Sequence, residues 1–352
     1  MLQSLPEKTL DEGRPMFRRI LTILSLCLGT QLINPVRADD PWIVLNGQEG
    51  PGKGKHIVLI SGDEEYRSEE TLPQLAKILA THHGFKCTVL FAIDPKDGTV
   101  NPDVRNNILG LEALKNGDLM VIFTRFRELP DEQMKHIVEY VDSGRPIIGL
   151  RTATHAFAFK PSATYARYSW DSKEWDGGIG RQILGETWIS HHGDHGKQST
   201  QGMIASENKE HPILRGIKDG DIWGPTDVYG VHLPLPEGCQ PLVMGQVLTG
   251  MKPSDEPVTG PKNNPMMPIA WTKTYQGKER TGRVFTTTMG ASQDFESEGL
   301  RRLLVNACYW AVSLEDKIPA HSKVDIVGEF HPHPFRGGGF EKGQKPSHFA
   351  SP

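Results

Sequence analysis

Side chains able to do chemistry gather at a few points in this chain. The densest is His191-His192-Gly193-Asp194-His195, three imidazoles and a carboxylate in five residues. Such a set can hold a divalent ion or deliver one histidine as an acid/base or hydrogen-bonding group. Adjacent histidines do not easily share an ion. The reading is therefore one imidazole reaching a site, His191 as a binding group or His192 as an acid/base group, with no metal assigned. A divalent ion on His191, Asp194 and His195 is the rival, and solvated loop histidines are the plain alternative. A second point is Gly149-Leu150-Arg151-Thr152-Ala153-Thr154-His155, where an apolar run ends in a polar turn. A strand–turn–helix elbow can expose one reactive side chain beside backbone N–H groups. Thr152 and Thr154 supply hydroxyls, and the one local base is His155. Ligand binding by Arg151, Thr152 and Thr154 outweighs nucleophilic catalysis. A third point, Thr124-Arg125-Phe126-Arg127, sets two guanidinium groups around an aromatic ring. Arg125 and Arg127 either bind a planar or hydroxyl-rich ligand or neutralise nearby carboxylates. Asp63, Glu64 and Glu65 form a fourth point, and Thr287 with Met289 a fifth. His211, in His211-Pro212-Ile213, belongs to a stiff turn that can still line a crevice.

Each of these points except the histidine cluster and His211 follows a short apolar run. Residues 56–61, 86–92, 118–123 and 145–150 read as strands, and residues 240–248, 267–274 and 283–289 as later ones. Apolar residues at helical spacing mark helices over 68–82, 131–141 and 298–311, with Ser68 as a cap for the first. Continuous apolar strands alternating with amphipathic helices predict an α/β fold, a doubly wound parallel sheet covered on both faces. Ligands in such sheets bind beyond the carboxyl ends of the strands. The strand-following points therefore converge on one crevice. Ser61-Gly62-Asp63-Glu64-Glu65 is no phosphate loop, because it lacks the glycine fingerprint and its carboxylates would repel a phosphate. No cofactor is expected. Residues 159–202, rich in Trp, Gly, His and Ser, read as an irregular excursion from the sheet.

The ends differ from the middle. Phe17-Arg18-Arg19, an apolar run over 20–29 and the small residues around Val36-Arg37-Ala38 have the three parts of a signal peptide cleaved before Asp39. Translation from Met16 would keep all three parts. The run is shorter than the roughly 20 residues of a bilayer span. Lipidation at Cys27 is disfavoured by the large Leu26 before it. Residues 39–55 then read as a leader, 56–317 as the α/β domain and 318–352 as a Pro/Gly/His-rich surface tail. Cleavage would take five basic and three acidic side chains from totals of 39 and 43, moving the net charge from −4 to −6. That sign gives no reason to expect a nucleic-acid partner. It would also leave three cysteines, Cys87, Cys239 and Cys308. Cys87 and Cys308 lie in apolar stretches and read as small buried hydrophobes, with one disulfide as the alternative. Nothing in the pattern specifies an oligomeric state.

The order of the blocks carries a resemblance. Residues 146–157, then His211-Pro212-Ile213, then residues 282–290 and the closing helix over 303–312 together resemble the ThuA-like (trehalose-utilisation) family. That family is a branch of the class I glutamine amidotransferase-like superfamily. The resemblance spans about residues 56–315 and implies a flavodoxin-like fold and a link to sugar catabolism. It carries over Arg151, Thr152, His155, His191 or His192, His211, Thr287 and Met289 as crevice residues. Two departures matter. The elbow has Thr152-Ala153-Thr154 where a glutamine amidotransferase would have a cysteine, and Ala291 stands where the family often has a histidine. The expectation is an exported protein that binds a small carbohydrate or sugar-derived ligand and processes it with His155 and His192 as acid/base groups, without glutaminase activity. The alternative is a non-catalytic carbohydrate-binding or interaction protein on the same fold.

Overall fold

In a computed structural model, residues 40–350 are described. The chain enters through strand β1 (Trp42–Asn46), then β2 (His56–Gly62), helix α1 (Ser68–His83), β3 (Lys86–Leu90), β4 (Leu119–Thr124), α2 (Asp131–Asp142) and β5 (Ile147–Leu150). Two-residue strands β6 (Ser190–His191), β8 (Trp223–Gly224) and β9 (Tyr229–Gly230) alternate with β7 (Thr200–Ile204) in the middle of the chain. Long strands β10 (Gln240–Val247), β11 (Met267–Gln276) and β12 (Thr281–Thr287) lead into helix α3 (Glu298–Ala311). The sheet runs β1-β3-β2-β4-β5-β12-β11-β10-β7-β8. Its heart is the parallel set β3-β2-β4-β5-β12. Numbered among themselves in chain order, those strands stand 2-1-3-4-5, the flavodoxin-like arrangement.

Strand alternation feeds two separate cores. Ile57, Leu59, Val121, Phe123, Ile148 and Phe285 point to the face covered by α1 and α3. Val58, Ile60, Met120, Ile122, Ile147 and Val284 point to the other face, against Met134, Ile137 and Tyr140 of α2. Burial on both sides is what makes these strands read as unbroken apolar runs.

Four features depart from the sequence reading. The sheet is mixed, because β11 pairs antiparallel with both β10 and β12. Only four residues separate β11 from β12, too few for the crossover a parallel pair needs. Residues 39–55 are more than a leader, since β1 adds an antiparallel edge to β3 with Ile43 buried. The tail 318–350 is not loose on the surface: Ile318, Val324 and Phe340 are buried, and Val100 N donates to Gln344 O at 2.8 Å. Ser68 is the first residue of α1 rather than its cap, and its hydroxyl instead accepts from Asp63 N at 3.0 Å. The signal-peptide segment falls outside the described residues. Among the described residues no helix is long and apolar enough to cross a membrane. Cys87, Cys239 and Cys308 are free thiols, the first and last buried in the core.

Candidate functional site

The carboxyl ends of β2, β4 and β5 each run into a residue with left-handed backbone. Arg67, Phe126 and Arg151 have φ of 59, 49 and 44°. Non-glycine residues take this conformation at a cost, and such strain gathers where a site over-determines the backbone. The turns are tied together. Phe126 N donates to His155 O at 3.0 Å, Arg125 N to Gly62 O at 2.9 Å and Arg151 N to Met289 O at 3.2 Å. After β5 the chain makes a five-residue 3-10 turn, Arg151–His155, not the helix expected of an elbow. Phe157 then bridges in parallel to Arg127 as the chain leaves the turn.

A narrow cleft opens above these turns, lined by Glu65, Tyr66, Arg125, Phe126, His155, Trp188, His191 and Tyr229. Its wall is aromatic. His155 lies 5.0 Å from Phe126, 5.5 Å from Trp188 and 6.0 Å from Tyr229, centroid to centroid. The excursion 159–202 supplies Trp188 and also Trp170, which stands 5.8 Å from Phe126. The C-terminal tail supplies Phe335, stacked on Tyr66 at 5.6 Å and edge-on to His195 at 5.1 Å.

Asp227 organises the polar side of the cleft. Its Oδ2 accepts from His191 Nδ1 at 2.7 Å and its Oδ1 from His195 Nδ1 at 3.0 Å. Behind it the buried Arg151 donates to Asp227 Oδ1 (3.1 Å), Asp227 O (2.9 Å) and Thr288 O (2.7 Å). The Arg151 guanidinium is sandwiched between Tyr66 at 4.4 Å and Tyr229 at 3.8 Å. Burial alone would raise the Asp227 pKa, but hydrogen bonds from His191 and His195 and the Arg151 charge hold it well below the usual carboxylate range. The bond to Asp227 raises His195 in turn. His155 goes the other way. Burial, reinforced by the charges of Arg125 and Arg151, keeps its pKa well below the ordinary value, so it is neutral near pH 7. Two devices bring the histidine loop to Asp227. His191 pairs with Tyr229 in the β6–β9 ribbon. Gly193 packs where an added Cβ would come within 3.2 Å of Asp227 Cβ.

The residues singled out from sequence divide into two groups. His155, His191, Arg125 and Glu65 line the cleft. The others do not. Glu64 neutralises Arg125 and Arg127 at 2.6 Å each, and Arg127 also donates to Pro102 O and Val104 O. The carboxylate-pairing reading therefore holds for Arg127 and for both ends of Arg125, whose Nη2 lies 3.1 Å from Glu65 Oε2. Thr152 donates to Asp63 Oδ2, and Asp63 Oδ1 accepts the N–H groups of Glu65 and Tyr66. Thr154 is buried, with its hydroxyl 3.1 Å from His155 Nδ1. Thr287 and Met289 are buried and bond to each other through Met289 N. His192 turns away and donates to Lys262 O at 2.8 Å, so it does not reach the cleft. His211 is not a crevice residue at all. It caps the turn Pro212–Leu214 and packs on Trp310, beside Arg283 near the start of β12 and so at the opposite end of the sheet. Asp194 pairs with Lys262 at 2.8 Å. The three-ligand set the structure does assemble is His191, His195 and Asp227, with one donor atom from each within 4.8 Å of the others.

Residues 56–311 match the family ThuA, described as trehalose utilisation. The chain belongs to the ThuA family. Solved structures similar to this ThuA chain include a ThuA-like protein from Bacteroides uniformis ATCC 8492, 16% identical, covering 76% of this chain and 94% of that one, with a TM-score of 0.46. Another, from Parabacteroides merdae ATCC 43184, is 14% identical, with coverage of 82% and 96% and a TM-score of 0.48. Agd3, a carbohydrate deacetylase, is 11% identical over 74% of this chain and 32% of its own, with a TM-score of 0.37. No curated protein matches.

Proposed function

We propose that this ThuA protein is exported, binds a sugar or sugar derivative of carbohydrate catabolism in the cleft at the strand ends, and processes it without glutaminase activity. The observation that carries the reading is the cleft wall itself. Tyr66, Phe126, Trp188 and Tyr229 offer ring faces and edges, interleaved with Glu65, Arg125, His155 and His191. A sugar ring presents C–H faces that pack on aromatic rings and an equatorial belt of hydroxyls that needs donors and acceptors. Arg125 donates to hydroxyl oxygens and Glu65 accepts from hydroxyls. His155, neutral near pH 7, keeps one ring nitrogen able to take or give a proton at the cleft. A glutaminase would need a thiol at the elbow. The elbow instead holds Arg151, Thr152, Ala153 and Thr154, and the buried Cys87 and Cys308 lie in the core.

One observation favours a second, non-catalytic reading. The turn side chains Arg151, Thr152 and Thr154 all have partners inside the protein, so the turn presents no spare nucleophile. Calorimetry and product assays with monosaccharides and with oxidised and reduced disaccharides separate the readings. For a catalyst, Trp188→Ala weakens binding about tenfold or more, while His155→Ala retains binding and loses roughly 10²–10⁴-fold in turnover. Sugar binding with no product after long incubation favours the binding protein. A wild-type protein that binds none of these sugars overturns both.

A further inference from the structure

We propose that His191, His195 and Asp227 form a site for one divalent transition-metal ion of the Zn²⁺ class at the mouth of the cleft. The inference shares its location with the sugar reading above and rests on that reading only for what the ion would act upon.

Three observations carry it. The first is the donor set. Two imidazoles aim Nδ1 at different oxygens of one carboxylate, 2.7 and 3.0 Å away. One donor atom from each residue lies within 4.8 Å of the others. Tetrahedral bonds of about 2.1 Å need donors roughly 3.4 Å apart. The side chains of His191 and His195 are 40% and 35% exposed, so they can close the remaining distance without disturbing a packed core. Two histidines and one carboxylate, with the other positions open, is the composition of catalytic rather than structural metal sites.

The second observation is what stands behind the donors. A metal-binding histidine commonly gives its other N–H to a carboxylate, and a metal-binding carboxylate is itself hydrogen-bonded. The second support is present, and one of the two histidines has a carboxylate near its other nitrogen. His195 Nε2 faces Glu65 Oε1 at 3.5 Å, and Arg151 fixes the Asp227 carboxylate from the buried side. A carboxylate oxygen accepts at more than one lone pair, so the Arg151 bond does not close Asp227 to an ion.

The third is how the nearby alternatives are disposed of. His192 and Asp194 sit in the same five residues, yet both turn to Lys262. The loop thus sorts its side chains, with the 191 and 195 positions inward and the 192 and 194 positions outward. Arg151 opposes a second cation, and Asp227 between them offsets that repulsion. Glu64 and Glu65 already answer Arg125 and Arg127. Two neutral imidazoles and one carboxylate would leave a divalent ion a net positive charge to polarise an oxygen of a bound sugar or a water.

The full chain, stripped with a chelator, is titrated with Zn²⁺ by calorimetry and with Co²⁺ by visible absorption at neutral pH and without sugar. One equivalent of tight binding is expected. His191→Ala and His195→Ala should each weaken it at least a hundredfold, and Glu65→Gln about tenfold. His192→Ala should leave it unchanged. Thermal melts of the two half-exposed histidine variants confirm folding independently of Asp227, whose removal would strip Arg151 of its partner. Absence of stoichiometric uptake, or uptake indifferent to both ligand variants, overturns the site. Metal uptake without sugar binding removes the sugar reading alone, and sugar binding without uptake removes the metal site alone.

Discussion

Arg151 shows how a side chain that reads as a ligand clamp becomes structural. From its position after an apolar run it belongs in the crevice, and it does stand directly beneath it. Burial decided its role. A guanidinium removed from water needs partners inside, and here Nη1 and Nη2 find them on Asp227 and Thr288 between two tyrosine rings, while Nε has none. Arg151→Ala should therefore destabilise the protein by roughly 3–5 kcal/mol, the usual cost of orphaning one partner of a buried pair. Arg151→Lys should recover only part, because an ammonium cannot reproduce the fork. Urea unfolding measures both, and a loss under about 1 kcal/mol for the alanine variant would return Arg151 to the list of free binding groups. His155 and His191 were legible as site residues from type and position. Asp227 was not. It is the sole carboxylate in an otherwise uncharged run, residues 223–231, and that isolation is the one signal available in sequence. Its importance comes from two histidines more than thirty residues away, a contact no local spacing encodes.

At the scale of elements, β2 to β5, β10 to β12 and the three helices were readable within a residue or two, because their apolar periods directly reflect which faces are buried, whereas β1 and β7 were not read as strands. The short strands β6, β8 and β9 were not, since two residues carry no period. Helix α1 illustrates a further consequence of packing. At its last turn His83 donates from Nε2 to Lys323 O at 2.7 Å, and its Nδ1 lies 2.9 Å from the Tyr309 hydroxyl. Burial lowers its pKa to about 4 from 6.5. The unfolded chain takes up this proton before the native protein does. The stability from His83 is therefore complete above about pH 6.5 and is lost as pH falls toward 4. Between pH 7 and 5 the loss is on the order of 2 kcal/mol. Guanidinium unfolding at the two pH values should show wild type losing about that much more than His83→Gln, and equal losses would remove His83 from the account. The tail element that supplies Lys323 also supplies Phe335 to the cleft wall, so one strap joins the end of α1 to the site.

For the whole molecule, export is the expectation with the most direct check. Expressed in a host with a secretion pathway, the protein should be recovered outside the cytoplasm with Asp39 as its first residue by N-terminal sequencing. Intact residues 1–38 on the recovered protein would defeat it. The sequence alone determined the α/β class, the strand ends as the place for chemistry, the ThuA resemblance and the missing elbow cysteine. Each of these depends on local residue type and on period, and both survive in one dimension. Tertiary structure decided which polar groups remain available. It paired Asp63 with Thr152, Glu64 with Arg127 and Arg151 with Asp227, sent His192 and His211 elsewhere, and joined His191 and His195 to Asp227. The physical reason is that a buried polar group must find a partner, and which partner is within reach depends on how distant turns pack.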